Sequence, residues 1–232
     1  MQNMKDSDMN ALSNAHTSRG ASPSDSAGFT SNVLPEAYGS DTGVSSDCIP
    51  QADHHWFVLR VTYNRGAMAN AIITDAGVRS YVPMHYVVKN EIGKKKRVLE
   101  PLLPNLVFVY ATRSIVNNIV KRKGHDVSII KYYLDKTRPL EPNGKHPPLT
   151  IPSESMESFI KATSTSNSHV RIVSPEQCNF KTGDRVRVIA GEFEGVIGRV
   201  ARIAGQQRVV VEMSGLCMVA TAYVPKAFIE EM

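Results

Sequence analysis

Few side chains in this 232-residue chain are spaced for chemistry, and those that cluster carry charge rather than nucleophilic character. His54-His55 has no acidic or cysteine residue at metal-ligand spacing, which reads as a solvated pair rather than a metal site. Cys48, Cys178 and Cys217 are odd in number, far apart and outside any CxxC pattern, so neither a zinc site nor a disulfide framework follows. Glu192 and Glu194 flank Phe193 in a glycine-rich loop and read as solubilising charges, not as an acid–base pair. No phosphate-cradling GxxxxGK[ST], no GxSxG elbow and no GxGxxG turn occurs. The expectation is a non-enzymatic protein with no catalytic residue, no metal and no cofactor.

Positive charge is the chemistry that remains. Lys94-Lys95-Lys96-Arg97 follows Gly93 in a polar stretch read as a hairpin tip, where cations can lie along phosphates and add salt-dependent affinity without reading sequence. Lys121-Arg122-Lys123 ends a predicted helix and complements its C-terminal dipole equally well. The net charge of +5 is unevenly spread. Residues 1–50 hold two cations and six acids, a balance of −4, whereas the remainder holds twenty-five cations and sixteen acids, a balance of +9. A basic body behind an acidic tail suits work near polyanions.

The elements that must position these groups begin abruptly. Residues 1–53 are rich in Ser, Asn, Asp and Gly and lack apolar periodicity, which predicts a disordered tail. The lysine at position 5 is followed by acids instead of an apolar segment, and nowhere is there an apolar run of the ~18–20 residues that cross a bilayer, so a cytoplasmic protein is expected. From Trp56 to Tyr63 the β-branched and aromatic density predicts a mostly buried strand. A helix over 67–75 stopping at Gly77, a strand over 78–88, a strand over 102–110, a helix over 114–123 stopping at Gly124 and a strand over 127–134 follow. A proline-rich connection over 137–152 leads to a last helix, with Ser153 as its cap and Met156, Phe159 and Ile160 as its apolar face. The order β-α-β-β-α-β predicts a ferredoxin-like α+β sandwich, a four-stranded antiparallel sheet with helices, over residues 54–163.

Residues 164–178 have linker composition, and from 179 to 232 the texture is short strands punctuated by glycine, which predicts a small closed all-β barrel. The abundance of β-branched residues from Val186 to Val224 favours strands over a helical alternative. Gly183-Asp184 reads as a turn; Val186 and Val188 alternate with Arg185 and Arg187; Gly191, Gly195 and Gly198 mark tight turns, with Phe193 at the loop tip.

That run, Gly183 to Val200, resembles the KOW motif of NusG-type proteins and of several ribosomal proteins, which implies an SH3-like barrel. Trp56-Phe57-Val58-Leu59 opening the upstream domain resembles the NGN domain of the NusG family. Glu100-Pro101-Leu102-Leu103-Pro104-Asn105 is similar to a segment of its specialised RfaH and UpxY-type antiterminators, with Asn105 where general NusG proteins have Gly. The resemblance spans residues 55–232.

It implies a monomeric transcription elongation and antitermination factor, active away from membranes. Such a factor would contact the β′ clamp helices of RNA polymerase through an exposed apolar patch, here Leu106 and Phe108 with Tyr81 and Pro83. Arg65 and the Lys94, Lys95, Lys96 and Arg97 run would approach the non-template DNA strand. The KOW domain would recruit a ribosomal protein or a termination factor. The rival reading is a KOW-type RNA-binding protein of the ribosome or its assembly, for which the NGN-like domain would be superfluous.

Overall fold

The chain was described from a computed structural model covering residues 53–62, 65–91, 93–121 and 129–232, with backbone alone at 181–184. The predicted tail through residue 52 and the predicted helix stop at Gly124 lie outside the described residues.

The N-terminal region is an antiparallel sheet built around β1 (His55–Val61). β1 pairs β5 (Leu106–Ala111) on one side and the short β6 (Ile130–Tyr132) on the other, while β2 (Arg79–Tyr81) adds outside β5. Because β1 is central and covered on both faces, Trp56, Phe57, Val58 and Leu59 are all buried, as the unbroken apolar run predicts.

Side-chain alternation then splits the sheet into two interfaces. Phe57, Leu59, Val61, Val107 and Val109 share a core with Ala69 and Ile73 of α1 (Gly66–Asp75) and with Val116 and Ile119 of α2 (Arg113–Lys121). Trp56, Val58, Tyr81, Leu106 and Phe108 belong to a second core with Met156, Phe159 and Ile160 of α3 (Ser153–Thr163).

The expected second strand, 78–88, is broken. Pro83 lacks the N–H a ladder requires, so β2 ends at Tyr81, and the chain resumes as β3 (Met84–Glu91) in a separate hairpin with β4 (Lys94–Pro101). The expected strand at 102–110 starts only at Leu106, because Leu102–Asn105 forms a turn in which Asn105 takes a φ of 64°. Part of the proline-rich connection also pairs: β7 (Thr150–Ile151) lies against β1 at Phe57 and Trp56. Ser153 is not the cap of α3. Pro152, at φ −56° and ψ 139°, takes that position, and its carbonyl accepts the first helical bond from Met156.

The C-terminal region is a six-stranded antiparallel sheet in the order β13-β9-β10-β11-β12-β8. Its strands are β8 (Arg171–Val173), β9 (Asn179–Val188), β10 (Ile197–Ile203), β11 (Gln206–Met213), β12 (Cys217–Tyr223) and β13 (Ile229–Glu231). β8 falls inside the segment expected to be linker; its Ile172 and Val173 pair with Val219 and Met218, covering an edge of β12 that would otherwise offer open donors and acceptors. Before β13, Lys226–Phe228 makes a 3-10 turn. Val209, Val210 and Val211 of β11 are all buried, so both sides of this sheet are covered at its middle.

Candidate functional site

The four apolar residues expected on an exposed patch are buried. Phe108 has no exposed surface, Leu106, Tyr81 and Pro83 are covered, and the cover is α3, whose Phe159 ring lies 5.3 Å from that of Phe108. Tyr81 meets Phe159 edge-on at 6.2 Å. Its hydroxyl is 2.6 Å from Thr163 Oγ1, and because Thr163 donates its own proton to the Phe159 carbonyl at 2.7 Å, Tyr81 is the donor in that pair. Burial pushes the Tyr81 phenol up, partly offset by its hydrogen bonds with Ser164 and Thr163, so it stays neutral. Alternation along β5 correctly puts Leu106 and Phe108 on one face. What covers that face comes from about fifty residues downstream, which periodicity does not encode.

The outward side of α3 is fastened to the C-terminal sheet. Ser158 Oγ accepts the Ile197 N–H at 3.1 Å, Lys161 Nζ donates to the Gly195 carbonyl at 3.4 Å, and Glu154 pairs with Arg185 at 2.7 Å. Phe193, placed by the sequence at a loop tip, is 5% exposed and joins the same core as Phe159, Val188 and Val196. Glu154, Ser158 and Lys161 are spaced i, i+4, i+7, a single helical stripe. That spacing was the available signal for this interface.

Within the glycine-rich run, Val186 and Val188 are buried and Arg185 and Arg187 exposed, as their alternation predicts. Gly191 and Gly195 take φ of 85° and 79°. Gly198 does not; it is required for close approach, because a Cβ there would stand 2.5 Å from the Val210 carbonyl oxygen of the neighbouring strand. Gly183 and Asp184 form no free turn. Arg199 pairs with Arg185 but Ala201 with Phe180, so residues 181–184 bulge within β9.

The basic run is not a tip but the start of β4, and strand geometry divides it. Lys94 and Lys96 share a face with Lys89, Glu91 and Glu100, where Lys89 pairs with Glu100 and Lys96 with Glu91 at 3.6 Å. Lys95 and Arg97 share the other face, where Arg97 lies 3.9 Å from the Tyr86 ring centroid and donates to the Ser166 carbonyl. Two acids thus offset part of a charge that looks continuous in sequence, and Arg97 ties the hairpin to the segment after α3. Arg65 is exposed at the start of α1, its carbonyl accepting the Ala69 N–H at 2.9 Å.

Among the described residues no group of three His, Cys, Asp or Glu side chains converges as a metal site, and no helix is long and apolar enough to cross a membrane. Burial pushes the Cys217 thiol to about 11 and also raises Cys178, so both are protonated at neutral pH and poor nucleophiles.

No curated protein matches the chain. Residues 54–160, the sheet with its three helices up to Ile160 of α3, match the NusG family model, described as transcription termination factor nusG, and this match supports membership of the NusG family.

Proposed function

We propose that the chain is a specialised NusG-type elongation factor, related in function to RfaH and UpxY antiterminators, that binds elongating RNA polymerase at the β′ clamp helices and suppresses pausing and termination. In this reading residues 54–163 are an NGN domain of ferredoxin-like type and 179–232 an SH3-like KOW barrel. The observation that carries it is the family match over residues 54–160, followed by a β-rich C-terminal region. The turn at Asn105 supports the specialised branch in a physical way. A φ of 64° is open to Gly and, among L-residues, most readily to Asn or Asp, so the turn accepts Asn105 without the strain that a branched or bulky residue would bring.

Contact through Leu106, Phe108, Tyr81 or Pro83 requires α3 and the C-terminal sheet to move, since all four are covered. Arg65, Lys94, Lys95, Lys96 and Arg97 are the cations proposed to lie near non-template DNA. Target operons in this reading include those for polysaccharide biosynthesis, and the C-terminal region recruits a ribosomal protein or a termination factor. Single-round transcription over a terminator, with and without the full chain, tests the function. Increased read-through is expected; unchanged pausing and termination on every template would contradict it.

A further inference from the structure

The two ends of the C-terminal sheet guard their edges differently. β13 pairs with β9 alone among the described residues and carries Glu230 and Glu231, charges that deter pairing with another chain. β12 holds no charged residue and no proline in its seven residues. Left bare, such a strand is a template for any extended segment. It is covered instead by β8, only three residues long, whose Arg171, Ile172 and Val173 pair with Ala220, Val219 and Met218.

That cover is lightly held. Of its three side chains only Val173 is buried, while Arg171 and Ile172 are exposed. The chain is anchored on either side of it, at Val170 in the core of α3 and at Cys178 in the core of Val173, Val210 and Ala220. Between these anchors the turn after β8 is tied to itself: the Ser174 N–H donates to Gln177 Oε1 at 3.0 Å and the Cys178 N–H to the Pro175 carbonyl at 3.1 Å. Segments with few buried side chains between firm anchors open locally, without unfolding of the whole sheet.

One buried side chain extends the closure past the end of β8. Arg208 of β11 is 5% exposed, and its Nη1 donates both to the His169 carbonyl at 3.0 Å and to the Thr221 carbonyl at 2.7 Å. It thereby joins the segment entering β8 to β12 just beyond their last pair, Arg171 with Ala220. Its Nη2 donates to Gln206 Oε1 at 2.9 Å, its Nε meets no acceptor, and none of the ion pairs among the described residues includes it. Burial, and then the nearby Arg171, push its pKa down. A buried guanidinium met only by neutral oxygens is costly to hold, and what it gains here is the bridge between two backbone segments.

We propose that β8 is a built-in plug that opens locally between Val170 and Cys178 and keeps the β12 edge from pairing with another chain, and that Arg208 is the positioning residue that holds it shut. The plug is tested on the full chain, by residue-resolved hydrogen exchange and by binding of a fluorescein-labelled peptide with the sequence of Ser168–Pro175. Arg208→Met is expected to speed exchange in β8 and at the Met218–Ala220 amides that face it by about ten- to a hundredfold, the worth of a hydrogen bond from a charged group, and to leave the β10–β11 ladder unchanged. Arg208→Lys, which keeps the charge and reaches one carbonyl, recovers part of that protection. Val173→Asp puts a carboxylate in the buried seat of β8 and opens the edge with Arg208 intact; the peptide then binds saturably, at least about tenfold more tightly than to the unaltered chain, and slows exchange in β12 again. Ile172→Pro, at an exposed position, opens the edge without placing a charge in the core and is expected to capture the peptide likewise. Three results would overturn the inference: Arg208→Met speeding exchange equally across β10 and β11; opened variants whose Met218–Ala220 amides exchange as before; or a peptide that binds the unaltered chain as tightly as the opened ones.

Discussion

The two faces of the N-terminal sheet are covered in different ways. On one, α1 and α2 follow the strands they cover, and the contact is a dry core of Ile73, Val116, Ile119, Leu59 and Val109. On the other, α3 arrives after the whole sheet is made, and its far side carries Ser158, Lys161 and Glu154 onto the C-terminal sheet through polar bonds. Apolar contacts alone make a cover that opens only with unfolding. The three polar bonds alone could be exchanged for water at small cost, since a typical protein hydrogen bond nets about 0.5–1.5 kcal/mol, but Phe159 also shares its apolar core with Val188, Phe193 and Val196, so α3 leaves the C-terminal sheet only by exposing that core. The polymerase contact residues proposed from sequence all sit beneath this second cover.

The strongest way to break the comparison is to empty each core in turn. Phe159→Ala removes a ring packed on both Phe108 and Tyr81 and is expected to cost about 3–5 kcal/mol, with hydrogen exchange rising in β5 and in the C-terminal sheet together. Ile73→Ala is expected to cost about 2–5 kcal/mol in denaturant melts, but to raise exchange only around α1 and β5. Equal loosening of the C-terminal sheet by both would erase the distinction. Ser158→Ala strips the acceptor from the part-buried Ile197 N–H and is expected to cost about 1–3 kcal/mol, visible as faster exchange at Ile197 and its neighbours.

A smaller change sharpens the comparison from the other side. Ala204 takes φ 50° in the two-residue turn joining β10 to β11, a position that suits Asn or Gly. Ala204→Asn is expected to stabilise the C-terminal sheet by about 0.5–1 kcal/mol in thermal melts without altering exchange in α3. Glu154→Gln should have the least effect. Both partners of its ion pair are about half exposed, so the loss is expected at or below about 1 kcal/mol and should vanish at high salt.

Much of this arrangement was legible in the residues. The buried run at Trp56, the three helices and the alternation of Val186 and Val188 with arginines follow from local pattern, and that pattern survives in the structure. The strand expected over 78–88 ends at Pro83, and nothing in the local pattern foretold that the chain would leave the sheet there for a separate hairpin. The patch at Leu106 and Phe108 was misread for a deeper reason. Alternation says which residues share a face, whereas exposure depends on Phe159 and Phe193, which approach from distant sequence. The division of the Lys94–Arg97 run was not legible in its continuous charge, because a strand sends neighbours to opposite sides.

The most direct test of the central claim is to titrate core RNA polymerase into the full chain and follow hydrogen exchange of the chain. Saturable binding is predicted, with exchange changing in β5 and α3 and staying constant at Ile73, Val116 and Ile119. No binding, or binding that alters only the α1 and α2 face, would contradict the account.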